Sequence, residues 1–189
     1  MSRDMRKGPC YVPILPRHGI KLFCWSGVKH EEGQRLARLF RQAWRKLPLG
    51  IRRKLLKRWR EQVREYNDNF KAQSGVLRAQ SPIVQLGPSE TKRKAVAWFE
   101  HPSYKSAPDK ISFRASVVSR LTDDSVKYAI AHELAHVLQQ IDDPEYYNTR
   151  DCRKNVYFGT SAIELDADDL VQCWGFDAEF KWKSRHGRA

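Results

Sequence analysis

The sequence predicts an α+β fold, and three observations lead to that class. Apolar residues recur at helical spacing over 31–72, over 122–142 and again from 161 onward. Between the first two stretches lie short segments rich in β-branched and aromatic residues, separated by Gly-Pro and Pro-Asp breaks. The chain has 189 residues, enough to bury a sizeable core. We expect one compact domain, or one domain with a helical extension.

Residues 1–30 are predicted to form an extended N-terminal arm. Pro9, Pro13 and Pro16 interrupt a short apolar run that Arg17 and His18 end, so the segment does not have the form of a secretion signal. No stretch approaches the roughly twenty apolar residues that a membrane span needs. The arm is expected either to pack on the core or to occupy an active-site groove as an inhibitor.

The cysteines favour neither a zinc ribbon nor a redox motif, because no two of them have C-x-x-C spacing. Four scattered cysteines suit a reducing compartment, and we expect a cytoplasmic protein. They are Cys10, Cys24, Cys152 and Cys173.

Residues 31–72 are predicted to form a basic αα-hairpin with a break at 48–50. Lys and Arg crowd the segment from Arg35 to Arg64, in which Glu61 is the only acid, and the formal net charge of the chain is +13. A basic helical face is most often simply solvated, but so lopsided a cluster suggests nucleic acid or an acidic protein as a partner. Residues 181–189 add a basic tail. The candidate contacts are Arg45, Arg52, Arg53, Lys54, Lys57 and Arg58.

Three short strands are predicted at 82–86, 95–100 and 110–114. They are expected to form a small, mainly antiparallel sheet packed on the helix that follows them. The sheet could simply close the core, or its edge could also bind an extended peptide.

The helix over 122–142 carries the clearest motif of the chain. Thr122 is a candidate N-cap, and the helix is expected to end before Pro144. Within it, residues 132–136 read H-E-L-A-H, the H-E-x-x-H arrangement of zinc hydrolases. Residues four apart differ by roughly 40° around a helix axis, so His132 and His136 share a face and can hold one metal ion, with Glu133 beside it.

A catalytic zinc site usually has three protein ligands, so the motif requires a further ligand elsewhere. The metzincin pattern is excluded, because Gln139 stands at its glycine position and Asp142 at its third histidine position. A second amphipathic helix begins at 161, with Gly175 as its expected stop. Glu164 and Asp168 lie one turn apart on it.

This E-x-x-x-D pair resembles the second half of the gluzincin signature, and residues 164–168 are similar to the E-x-E-A-N/D element of the ImmA/IrrE-type metallopeptidases. Asp166 stands where that element usually has Glu. The resemblance extends over about 111–174 and implies a zincin-like core within 73–180, preceded by the basic hairpin. It also implies one Zn²⁺ per chain, held by His132, His136 and Glu164, with Asp168 orienting a ligating histidine.

The resemblance implies a zinc-dependent endopeptidase that acts on a protein substrate, near nucleic acid if the basic hairpin binds it. Glu133 is then the general base, which takes the proton of the zinc-bound water and passes it to the leaving amine. The donor that stabilises the oxyanion stays open among several residues. These are His101, Tyr146, Tyr147, Arg150 and Tyr157.

Several alternatives remain open from the sequence. The motif could be a coincidental string on an ordinary helix, and Glu164 could close a capping box with Ser161 instead of binding metal. Within enzymes, a SprT-like protease of DNA-associated proteins fits the basic charge, although no third histidine follows His136 at a suitable distance. In another class, the chain is a nucleic-acid-binding protein whose zincin scaffold is structural or vestigial.

Overall fold

Strands from the start and the middle of the chain join in one sheet. The computed structural model describes residues 9–74, 84–87, 96–100, 109–144 and 162–177. Its strands are β1 (Cys10–Leu15), β2 (Ile20–Cys24), β3 (Val84–Gly87), β4 (Ala97–Glu100) and β5 (Lys110–Arg114). Its α-helices are α1 (His30–Lys46), α2 (Leu49–Ser74), α3 (Ala115–Val118), α4 (Asp123–Asp142) and α5 (Ala162–Cys173). The predicted α+β class is confirmed.

The sheet has five strands in the order β1-β2-β3-β5-β4 and is mixed. The pairs β1/β2 and β4/β5 are antiparallel, whereas β2/β3 and β3/β5 are parallel. The prediction of a mainly antiparallel sheet was therefore wrong. The physical reason is connectivity: α1 and α2 follow β2 and return the chain to the same end of the sheet, and such a crossover produces a parallel pair.

The segment predicted as an extended arm contributes β1 and β2, so that expectation needs correcting for residues 10–24. Pro13 does not prevent a strand, because β1 lies at the edge of the sheet, where a missing backbone N–H is tolerated. A short 3₁₀ turn, Pro16–His18, links the strands and ends at Gly19, whose φ of 70° suits glycine. The alternate residues Val12 and Leu22 are buried.

Helices α1 and α2 pack on α4 and join the same hydrophobic core as the sheet. Each of these two helices has close backbone contacts with α4, and the rings of Trp44 and Trp59 stack with centroids 5.7 Å apart. The helix α1 also lies close to β2 at Gly33, where an added Cβ would be 2.6 Å from the Cys24 sulfur. The basic segment is thus part of the core structure and not a separate layer.

The motif helix α4 begins and ends where the sequence predicts. Thr122 is its N-cap, and the Thr122 hydroxyl oxygen accepts a hydrogen bond of 3.2 Å from the backbone N–H of Ser125. Leu134 and Val137 are fully buried, as their spacing predicts. The guanidinium of Arg35 ties α1 to this corner by donating to the Val118 and Leu121 carbonyls and to Asp123.

In the part of the chain that the structure describes, no helix combines the length and the apolar character that crossing a membrane requires.

Candidate metal centre

Two neighbouring helices bring His132, His136 and Glu164 together. Both histidines lie on α4, one turn apart, and Glu164 lies on the first turn of α5. The two helices pack closely because α5 buries Ala167 and Val171 in the common core. This packing places the Glu164 carboxylate over the two imidazole rings.

The three side chains form a compact triangle of ligand atoms. His132 Nε2 is 2.9 Å from Glu164 Oε2 and 3.1 Å from His136 Nε2, and His136 Nε2 is 3.5 Å from Glu164 Oε1. Ligand atoms about 2.0–2.1 Å from a tetrahedral zinc ion would be about 3.3 Å apart, so the observed spacings suit such an ion. Imidazole nitrogen and carboxylate oxygen are also ligands that zinc prefers. These three residues could hold a metal ion.

Asp168 lies where the sequence analysis expects it, behind His132. Its Oδ1 is 2.9 Å from His132 Nδ1, and it also accepts a 2.9 Å hydrogen bond from the Tyr128 hydroxyl. A carboxylate can only accept here, so His132 Nδ1 carries the proton and Nε2 is directed at Glu164. The sequence analysis missed Tyr128, although its position four residues before His132 on α4 is a usable signal.

Gln139 holds the second histidine and was also missed as a site residue. Its Oε1 is 2.8 Å from His136 Nδ1, and its Nε2 donates a 3.0 Å hydrogen bond to the backbone carbonyl of Ile163. Since a carbonyl can only accept, the amide NH₂ must face Ile163 and the amide oxygen must face His136. His136 Nδ1 is therefore the protonated nitrogen, and the Nε2 lone pair is left for the triangle. The spacing of three residues after His136 places Gln139 on the same face of α4.

The charges of the triangle are strongly coupled. Burial by itself lowers the pKa of His132, but hydrogen bonds to Asp168 and Glu164 outweigh it and raise that pKa from 6.5 to about 9. Hydrogen bonds from His132 and His136 hold the pKa of Glu164 well below its usual range. Burial, followed by the hydrogen bond to Asp168, raises the pKa of Tyr128. The ligand set thus contains a stably ionised carboxylate.

Glu133 is buried beside this triangle, at 6% exposure. Burial raises its pKa, and the nearby His136 and His132 oppose the rise. The backbone N–H of Phe99 donates to its carboxyl group, yet its Oε2 atom has no hydrogen-bond partner among the described residues. A buried carboxylate oxygen without a partner is costly, and it suits a residue that acts on a water or a substrate.

The strand β4, at one edge of the described sheet, lies beside Glu133. The strand β4 is an edge strand, and the carbonyl of Val96 just before it accepts a 2.9 Å hydrogen bond from the Arg114 N–H. Bonding alternates along an antiparallel pair, so Ala97 and Phe99 direct their backbone groups away from β5. The hydrogen bond from Phe99 to Glu133 agrees with that alternation. The outer side of β4 therefore lies next to the buried carboxylate.

Comparison with known proteins adds no relative to this picture. No protein-family model matches the chain, and no curated protein and no solved structure is similar enough to count as a match. The resemblance to ImmA/IrrE-type metallopeptidases stays a prediction from the motif, and the site is interpreted from its own geometry.

Some basic residues of α2 have acidic neighbours in the structure. Lys54 pairs with Asp142 at 2.9 Å, Lys57 approaches Glu61 at 4.0 Å, and Arg58 lies 3.7 Å from the buried Asp109. Asp109 and Asp142 are distant in the sequence, so counting local charges overlooks them. Arg45 and Arg53 are exposed, and Arg52 is partly buried. Nucleic-acid binding through this helix stays a prediction.

Some expectations fall on residues outside the described set. These include Ser161 of the alternative capping box, the basic tail 181–189 and all the candidate oxyanion donors, namely His101, Tyr146, Tyr147, Arg150 and Tyr157.

Proposed function

We propose that the protein is a zinc-dependent endopeptidase. The observation that carries this proposal is the convergence of His132, His136 and Glu164 from two helices at 2.9–3.5 Å, with the buried Glu133 beside them. An ordinary ion-pair cluster accounts for the histidines and Glu164. It leaves the partnerless Oε2 of Glu133 without a role.

His132, His136 and Glu164 would hold the metal through two nitrogens and one carboxylate, a set that leaves a position open for water or substrate. When bound, Zn²⁺ supplies Lewis-acid polarisation of the scissile carbonyl and lowers the pKa of a coordinated water. Asp168 and Gln139 accept hydrogen bonds from the Nδ1–H groups of the two histidines, which keeps both Nε2 lone pairs available. These two hydrogen bonds thus orient the ligating histidines before a metal ion binds.

Glu133 is the proposed general base. Burial raises the pKa of Glu133 toward neutral pH, where a general base accepts a proton most effectively. Burial also favours the neutral acid once the proton has been accepted, so Glu133 can carry it until an amine leaves. The N–H of Phe99 fixes the carboxyl group against the sheet edge.

A peptide is the substrate that the neighbouring surface suits. The strand β4 lies at the edge of the sheet, where an extended chain could add by backbone hydrogen bonds, a mode in which backbone contacts supply affinity with little regard to sequence. Since Phe99 also contacts Glu133, a strand added at this edge would pass the proposed base. The proposal therefore extends to proteins that present an unfolded or extended segment.

The test is cleavage of casein and of a randomised quenched-fluorescent peptide pool by the zinc-loaded full chain. Glu133→Gln should retain zinc and lose activity about 10²- to 10⁴-fold, the usual contribution of a general base. Asp124→Asn is the matched control, because Asp124 is an exposed acid on the same helix, and it should leave activity unchanged. A fully zinc-loaded wild type that cleaves neither substrate, or an equally active Glu133→Gln, contradicts the proposal.

A further inference from the structure

The two faces of the sheet differ at the β1/β2 end. Val12, Leu22 and other alternate residues of these strands are buried against the helices. The other face of β1 and β2 carries Tyr11 and Lys21, which are exposed, and Phe23, which is partly buried. Helices therefore cover one face of this half of the sheet, while aromatic and basic side chains occupy the other.

Three aromatic rings form a continuous layer on that open face. Tyr11 and Phe23 are cross-strand partners whose ring centroids lie 5.1 Å apart, and Phe23 contacts Trp25 at 5.3 Å. The Trp25 indole extends the layer over β3, where it donates a 3.2 Å hydrogen bond to Gln85. Tyr11 is 52% exposed and Trp25 is 48% exposed. We call Tyr11, Phe23 and Trp25 the aromatic platform.

Cross-strand aromatic pairs stabilise hairpins, which accounts for the Tyr11/Phe23 contact. That contact does not explain why about half of the Tyr11 and Trp25 side chains is exposed to water, because threonine or valine would suit an exposed position in a sheet as well. The charge beside the platform supplies a second observation. Lys21 lies on the same face of β2 as Phe23, two residues away, and its side chain is exposed. The formal net charge of the chain is +13.

We propose that the aromatic platform binds single-stranded nucleic acid. Exposed aromatic faces stack on unpaired bases whatever their identity, and a cation beside them, here Lys21, neutralises phosphate. The row of residues opposite one another in the sheet, Tyr11, Phe23 and Gln85, crosses the strands, so a strand of nucleic acid lying across the sheet would meet ring, ring and amide in turn. A base-paired duplex cannot offer its base faces to this surface.

This surface differs from the helix α2 that the local sequence favours. Lys54 and Arg58 of α2 lie within ion-pair distance of Asp142 and Asp109, whereas the platform consists of exposed aromatic rings with the exposed Lys21 beside them. The proposal is also independent of the peptidase, because none of the platform residues belongs to the metal centre.

The test uses the full chain and fluorescence anisotropy with labelled oligomers of about 15 nucleotides, dT and rU, and with a duplex of equal length. The wild type should bind one or both single strands more tightly than the duplex. Tyr11→Ala and Trp25→Ala should each weaken that binding roughly 5- to 100-fold, the usual effect of removing one stacked base contact. Leu49→Ala is the matched control, because Leu49 is 54% exposed on α2, and it should change nothing.

Further variants separate stacking from charge and from misfolding. Tyr11→Phe keeps the ring and should bind as the wild type does, whereas Tyr11→Leu keeps the apolar contact with Phe23 and should lose affinity. Lys21→Ala should reduce the salt dependence of binding, which the aromatic variants leave intact. The proposal is overturned if the protein does not bind single strands or prefers the duplex. It is also overturned if only Arg53→Ala on α2 lowers the affinity for single strands, or if the platform variants abolish a self-association of the protein.

Discussion

Replacing Gln139 with leucine should weaken zinc binding without touching a ligand. In the structure Gln139 accepts a 2.8 Å hydrogen bond from His136 Nδ1 and donates one of 3.0 Å to the Ile163 carbonyl. Leucine has a similar size but offers neither interaction. His136 is only 5% exposed, so water cannot readily take the place of the amide. The imidazole can then transfer its proton to Nε2, the atom that the metal needs.

The expected loss follows from these contacts. A buried donor left without its partner costs about 1–3 kcal/mol, which corresponds to roughly 5- to 150-fold in affinity. Groups that orient a ligating histidine commonly contribute 10- to 100-fold to metal affinity, in agreement with that range. Gln139→Glu should lose less, because a carboxylate still accepts from His136 while it repels the Ile163 carbonyl.

The assay is competition for Zn²⁺ with a chromophoric chelator at constant pH, and circular dichroism checks the fold. Gln172→Leu serves as a control, because Gln172 is an exposed glutamine on the neighbouring helix. A Gln139→Leu protein that is folded and binds zinc within twofold of the wild type would refute the assignment of the His136 tautomer.

Two further predictions concern protonation and packing. The pKa of metal-free His132 is raised to about 9, so the contribution of its protonated form to folding stability is complete below pH 6.5 and disappears as the pH rises through about 9. Zinc must displace this proton to bind. Titrations should therefore show zinc affinity rising about tenfold per pH unit between about 6.5 and 9, where an ordinary imidazole would show a plateau. Gly33→Ala should lower the free energy of unfolding by about 1–3 kcal/mol, because its Cβ would lie 2.6 Å from the Cys24 sulfur, and Cys24→Ala in the same chain should restore part of the loss. Gly50→Ala, which meets nothing within 4 Å, should be neutral or raise stability by up to about 1 kcal/mol in denaturant unfolding; equal effects at the two glycines would contradict the packing account.

Local patterns located the four longer helices and three of the five strands, but not the short helix α3. The N-cap Thr122 and the periodicity after it locate α4, and β-branched residues locate β3 and β5. The strand β1 escaped prediction because prolines were taken as breaks, and only the sheet order shows that Pro13 lies at an edge. The direction of the strands could not be predicted either, because it depends on where α1 and α2 return the chain to the sheet.

The site shows the same division between local and distant information. Spacing along the chain was enough to propose the three metal ligands. The H-E-x-x-H motif places His132 and His136 on one face of α4, and the E-x-x-x-D spacing places Glu164 one turn before Asp168 on α5. Gln139 could not be assigned, because its role depends on the Ile163 carbonyl of another helix. The ion pairs of Lys54 and Arg58 could not be predicted either, because their acidic partners, Asp142 and Asp109, lie on other parts of the chain.

The zinc content of the purified chain tests the central claim most directly. Full-length wild type should bind one zinc per chain by elemental analysis after dialysis, with an absorption edge that reports nitrogen and oxygen ligands. Glu164→Ala should lose that zinc, whereas Asp166→Ala should keep it, because Asp166 is exposed on the same helix two residues away. A wild type that retains no zinc, or a Glu164→Ala variant that holds zinc as tightly as the wild type, would contradict the account.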